Sequence, residues 1–141
     1  MRILIINGPN LNLLGTREPS VYGNKSFENY FDELKQQFPN YDLQYFQSNV
    51  EGELINALHG ADNNFDGVIL NAAGYTHTSV AIGDAVAAIK VPVIEVHISN
   101  VFAREDYRHQ SMLSKHCAGI ITGLGLPVYK LAVNAFEEVI R

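Results

Sequence analysis

Two pairs of residues in this 141-residue chain have the types and spacing needed to move protons: Arg17 with Tyr22, and Glu95 with His97. An arginine held close to a phenol favours the phenolate, and lowering a tyrosine from about 10 by about three units takes roughly 4 kcal/mol of differential interaction. Tyr22 can then serve as a general base. Taken alone, the same loop reads more readily as a surface arginine beside a turn tyrosine. In Glu95-Val96-His97-Ile98-Ser99-Asn100, β alternation puts Glu95 and His97 on one side, where the carboxylate can orient the imidazole or favour its charged form. A histidine so placed suits a general acid near neutral pH. By itself a strand-end histidine is more often structural; three polar strand ends converging reverse that weighting.

Anion recognition is the second chemistry on offer. Backbone N–H groups at Ile98 and Ser99 can hold a carboxylate, helped by the Asn71 amide from a neighbouring strand end. Arg104 and Arg108 share a face if their stretch is helical, and with Arg17 they can make the positive pocket that an acidic protein needs. They read equally well as partners of Glu105 and Asp106. His77, in Gly74-Tyr75-Thr76-His77-Thr78-Ser79, suits a hydroxyl-binding role and suits a capping role as well.

These groups must be positioned by a scaffold, and the chain alternates apolar runs with helical patterns. Arg2–Ile6 is a β-branched run stopped by Asn7-Gly8-Pro9. Ser26 caps a helix through Phe38, with Phe27, Tyr30, Phe31 and Leu34 on one face. Asp42–Gln47 alternates as a sheet-edge strand does, and Glu51–His59 is a short helix closed by Gly60. Asp66–Asn71 and Val91–His97 are strands flanking a helix over Ser79–Ile89; Ala118–Thr122 is the fifth strand, followed by a last helix ending near Arg141. Parallel strands need crossover helices, so the expected fold is α/β: a doubly wound five-stranded parallel sheet with flavodoxin-like strand order 2-1-3-4-5. No repeat or linker interrupts 1–141, which reads as a single catalytic domain. In such sheets ligands bind beyond the carboxyl ends of the strands near the switch in strand order. That rule selects residues 8–23, 71–78 and 95–108. The first of these is too long for a simple strand-to-helix connection. Gly15 and Gly23 bracket its charged half as hinges of a lid would.

Composition narrows the classes. A net charge of −5 opposes a nucleic-acid partner, and no apolar run approaches the roughly 18 residues of a membrane span. The N-terminal stretch MRILIINGPN reads as a mature strand and not a secretory signal, so cytoplasm is the expected compartment and Asn24-Lys25-Ser26 an accidental glycosylation match. Cys117 is alone, which excludes an internal disulfide and a multi-thiolate zinc site. The histidines show no metal-ligand spacing, and neither phosphate-loop nor nucleophile-elbow motifs occur, so no cofactor and no metal are expected. None of Lys25, Lys35, Lys90, Lys115 or Lys130 stands at a strand end facing the expected pocket, which disfavours an imine mechanism.

The loop NGPNLNLLGTREPSVYG, the block IEVHISN and the intervening NAAGYTHTSVAIGDA resemble type II 3-dehydroquinate dehydratases, over residues 3 to about 126. The resemblance implies a flavodoxin-like subunit in a homo-oligomer, a dodecamer built from trimers. It also implies conversion of the small-molecule substrate 3-dehydroquinate to 3-dehydroshikimate, in the shikimate pathway of aromatic amino acid biosynthesis. By the same resemblance Tyr22 is the base activated by Arg17, Asn12 holds a water that stabilises the enolate, and His97, oriented by Glu95, protonates the departing hydroxyl. Asn71, Ile98 and Ser99 bind the carboxylate, His77 and Arg108 bind ring hydroxyls, and Arg104 lies near the base. Asp84 reaches the pocket of an adjacent subunit. Gln110, Met112 and Val50 depart from common family residues, and none belongs to the catalytic set. The rival readings are a nucleotide- or flavin-binding module, a receiver-type signalling domain and a homologue without activity. The missing phosphate loop opposes the first, Asn7-Gly8 in place of clustered acids the second, and the full catalytic set the third.

Overall fold

The computed structural model describes residues 1–16, 20 and 24–139. In chain order these form β1 (Arg2–Asn7), α1 (Phe27–Gln37), β2 (Asp42–Gln47), α2 (Glu51–Ala61), β3 (Gly67–Asn71), α3 (Val80–Ala88), β4 (Val93–His97), β5 (Gly119–Thr122) and α4 (Pro127–Val139). The strands pair in parallel in the order β2-β1-β3-β4-β5, the flavodoxin-like order expected from the sequence.

Both faces of the sheet are covered, which is why β1 and β3 are near-continuous apolar runs. Alternation divides their side chains between two cores. Ile3, Ile5 and Ile69 pack with Phe27, Leu34, Tyr129 and Phe136 of α1 and α4. Leu4, Ile6, Val68 and Leu70 pack with Leu54, Leu58, Ile82 and Val86 of α2 and α3. Each fully buried side chain of this kind contributes about 1.5–3 kcal/mol relative to exposure.

Helix starts follow the sequence. Ser26 Oγ accepts from Asn29 N–H at 3.2 Å, and Ser79 Oγ accepts from Ile82 N–H at 2.9 Å. Two local expectations are corrected. Gly60 does not close α2, which runs on to Ala61. Leu54, Leu58 and Ala61 are wholly buried on one face, and carrying that face one residue further outweighs the roughly 1 kcal/mol cost of a helical glycine. The end comes at Asp62, whose carboxylate accepts from the N–H groups of Lys90 and Val91. Arg104 and Arg108 do not share a helix: Arg104 is extended (φ −111°, ψ −161°) between 3-10 turns at Val101–Ala103 and Asp106–Arg108.

Candidate active site

The register brings the strand ends level. Asn7 stands opposite both Gln47 and Asn71, Leu70 opposite Glu95, and His97 opposite Thr122. Beyond these ends lies a cavity of about 130 Å³. Seven of the residues singled out in the sequence line it: Asn71, His77, His97, Ile98, Ser99, Arg104 and Arg108. Among the described residues no lysine does. His77, His97 and Arg108 also wall a wider neighbouring hollow of about 420 Å³, whose lining includes the buried Glu95.

Two backbones approach closely beside the cavity. Gly8 N–H donates to the Asn71 carbonyl at 2.8 Å, and a β-carbon on Gly8 would stand 2.6 Å from the Ala72 carbonyl oxygen. Gly8→Ala therefore forces the loops after β1 and β3 apart. Its expected cost is about 1–3 kcal/mol, the range for an overpacked site, read as a lowered Tm together with reduced turnover. An unchanged Tm would show that the two loops yield freely. Gly123 (φ 91°) donates to the His97 carbonyl at 3.0 Å, pinning the end of β4 to the turn before α4.

His97 and Glu95 form a buried pair. His97 Nε2–H donates to Glu95 Oε2 at 2.5 Å, so Nδ1 is the nitrogen not committed to the carboxylate. Glu95 Oε1 accepts from Ser111 Oγ at 3.0 Å and Ser114 Oγ at 2.8 Å, so both carboxylate oxygens are engaged. Burial by itself would raise the Glu95 carboxyl; the hydrogen bond and charge of His97, with the two serine hydroxyls, together outweigh it and hold the group below the usual range. The carboxylate is therefore ionised near neutrality and accepts from the imidazole beside it.

His77 is set up differently. Its Nδ1–H donates to the Gln110 carbonyl at 2.7 Å, leaving Nε2 as the acceptor. Burial lowers its basicity first; the Gln110 carbonyl works against this, and the nearby His97 ring and Arg108 charge add to it. The His77 and His97 rings lie 6.2 Å apart and nearly parallel. One histidine thus presents an acceptor nitrogen, Nε2, and the other is held by its Nε2–H on a buried carboxylate.

The arginines flank this pair. Arg108 Nε donates to Glu105 Oε2 at 3.1 Å, and Arg104 Nη1 donates to Ser99 Oγ at 3.3 Å while its Nε stands 3.9 Å from Glu105 Oε1. Glu105 also accepts from the Tyr107 hydroxyl, the main reason its carboxyl is held down at about 2. Asp106 instead faces His109 at 3.9 Å. The arginines are thus both ion-pair partners and cavity walls.

The remaining sequence-selected residues fall elsewhere. Asn12 is exposed on a 3-10 turn, its Oδ1 3.5 Å from Gln47 Nε2, and does not line the cavity. Asp84 is exposed on α3. Arg17, Tyr22 and Gly23 lie outside the described residues; Gly15 takes a left-handed φ of 95°. Sequence reasoning missed Ser111 and Ser114, which sit in an irregular stretch without periodicity, and Asn10, whose left-handed backbone (φ 70°) donates to Asn49 Oδ1 at 2.9 Å beside the cavity. An asparagine following Gly-Pro is the one signal that marked the latter.

The sequence profile of the family described as Dehydroquinase class II matches residues 1–137. A 3-dehydroquinate dehydratase of an Exiguobacterium species is 58% identical over 139 residues, covering 98% of this chain and 95% of the relative. That of Thermoanaerobacter pseudethanolicus is 54% identical, covering 96% and 93%. The crystal structure of type II dehydroquinase from Butyrivibrio crossotus superposes with a TM-score of 0.93 at 43% identity, covering 98% of both chains. In sequence and in fold alike, this chain belongs to the class II dehydroquinase family.

Proposed function

We propose that the cavity at the carboxyl ends of the strands binds 3-dehydroquinate and removes water from it through an enolate, with Tyr22 as base and His97 as acid. As a class II dehydroquinase the chain is a 3-dehydroquinate dehydratase, a carbon–oxygen lyase, which implies the shikimate pathway. The observation that carries the reading is the buried Glu95–His97 pair opening on a cavity that also presents Asn71, His77 and two arginines. Asn71 with the N–H groups of Ile98 and Ser99 takes the substrate carboxylate, and His77 and Arg108 take ring hydroxyls.

The chemistry follows from the substrate. A proton beside a ketone is only weakly acidic, so the base, Tyr22 activated by Arg17 with Arg104 nearby, needs help from stabilisation of the enolate as it forms. A water held by Asn12 supplies that. The C–O bond then breaks as the enolate electrons form the carbon–carbon double bond, and hydroxide, a poor leaving group, departs as water on taking a proton from His97. Each acid or base in such a set contributes a factor of about 10²–10⁴. One catalytic domain, 1–141, suffices for the set. Asp84 completes the pocket of an adjacent subunit, within a dodecamer of trimers in the cytoplasm; among the described residues no helix is long and apolar enough to cross a membrane.

The test is to mix the purified protein with 3-dehydroquinate and follow the ultraviolet absorbance of the conjugated enone, before and after borohydride treatment in the presence of substrate. The expected signal survives borohydride. A signal lost to borohydride overturns the mechanism in favour of a lysine imine, and no signal from folded protein overturns the activity.

A further inference from the structure

Three polar side chains are strung in one direction beneath the cavity. Asn71 Nδ2 donates to the Tyr129 hydroxyl at 3.0 Å, and that hydroxyl donates in turn to Asn7 Oδ1 at 2.8 Å. The fold dictates the meeting. Asn7 and Asn71 are paired across β1 and β3, and alternation after Ile5 and Ile69 turns both toward the α1–α4 side, where Tyr129 is wholly buried.

The consequence concerns which end of the Asn71 amide meets a ligand. A carboxamide has two N–H donors on one side and a carbonyl acceptor on the other, in nearly the same shape, so its neighbours must choose the orientation. Ala73 N–H can only donate, and it holds Asn71 Oδ1 at 3.1 Å. Ala73 reaches that position at φ 53°, a conformation costing a non-glycine residue about 1–2 kcal/mol. On the other side Asn7 Oδ1, which can only accept, takes the phenolic proton and leaves the Tyr129 oxygen as acceptor for one Asn71 N–H. In doing so Asn7 leaves its own buried Nδ2 to the Tyr45 hydroxyl, with no well-formed hydrogen bond among the described residues. The second Asn71 N–H is what remains for the cavity that Asn71 lines. A flipped amide would set NH2 against Ala73 N–H and turn its oxygen toward Tyr129 and the cavity, where it would repel a carboxylate.

We propose that Tyr129 is a positioning residue, fixing the Asn71 amide so that an N–H and not the carbonyl faces the substrate carboxylate. This rests on the assignment of Asn71 to the carboxylate. Burial pushes the Tyr129 phenol above its ordinary range, which keeps it the neutral donor and acceptor that the relay requires.

The test is steady-state kinetics of Tyr129→Phe, alone and combined with Asn71→Ala, with Tm recorded for each. The carboxylate does not change charge in the reaction, so its contacts act alike on ground and transition states. Tyr129→Phe is expected to raise KM about tenfold with kcat within about twofold. In the Asn71→Ala background the same change is expected to leave KM within about twofold, because the residue being positioned is gone. A Tyr129→Phe variant with lowered Tm and unchanged KM, or KM effects that multiply in the double variant, overturns the proposal. If Asn71→Ala itself leaves KM unchanged, the carboxylate assignment has failed and takes the positioning role with it; a raised KM there with no effect of Tyr129→Phe defeats the positioning role alone. Should Tyr129→Phe not fold, Asn7→Ala reads the relay from its far end: freeing the phenolic proton should raise KM at least about threefold, and an unchanged KM refutes the relay.

Discussion

Turnover of Tyr22→Phe falls by a factor of about 10²–10⁴, the contribution of one general base, while affinity for a non-reacting ring acid stays within about threefold. The split follows from where the two functions reside. The carboxylate and hydroxyl contacts assigned to Asn71, His77 and Arg108 come from the ends of β3 and the segments after β3 and β4, which the substitution does not touch. What is lost is one oxygen. The more searching measurement is exchange of the carbon-bound proton of 3-dehydroquinate in D2O. With the base removed, exchange fails together with elimination. Near-normal turnover, or exchange that persists at the parent rate, would take Tyr22 out of the mechanism and pass the role to another group.

Much of this scaffold was legible because its signals are local or periodic. Ile3 and Ile5 face one core and Leu4 and Ile6 the other, as an apolar run buried on both faces must, and such strands separated by helices leave few topologies. The Glu95–His97 pair was legible for the same reason: a spacing of two on a strand suffices to put both side chains on one side. The failures share a different cause. Gly60 is a helix breaker by propensity, yet burial of Leu58 and Ala61 carried the helix past it, a tertiary effect that propensity cannot register. The spacing of Arg104 and Arg108 suggested one helical face, whereas two short 3-10 turns bring both to the cavity by another route.

The groups that hold the site residues in place were the least legible. Tyr129 looks in sequence like one more member of the buried face of α4, with Val128, Ala132, Val133 and Phe136. Its hydroxyl acquires meaning only through Asn7, 122 positions away. Ser111 and Ser114 likewise matter only because the loop that carries them folds back on Glu95. Residue type and spacing single out the groups proposed to act on a substrate. They do not name partners that only the tertiary fold brings in, such as the Tyr129 hydroxyl on Asn71 or the two serines on Glu95.

In the proposed mechanism His97 and Tyr22 both act on the substrate, at different steps. His97→Asn lowers the rate of elimination by about 10²–10⁴-fold, yet it should leave exchange of the carbon-bound proton in D2O measurable, since base and enolate stabilisation remain. Loss of both processes to the same extent would mean that His97 is needed to form the enolate and not only to release the hydroxyl. The substitution also has a stability signature through Glu95. In the parent the Glu95 carboxyl is held below its ordinary value, so its contribution to stability is present above the ordinary carboxylate range and lost as pH falls through the lowered value. Without His97 the opposition to burial shrinks to the two serines, and the carboxyl rises. A raised carboxyl makes the opposite contribution: it stabilises at acid pH, and that contribution is lost as pH rises through the raised value. The gap in Tm between parent and variant should therefore widen from about pH 4 to about pH 7. A gap that is constant across that range would show that His97 does not govern the charge of Glu95, and the acid would then have to work without its carboxylate partner.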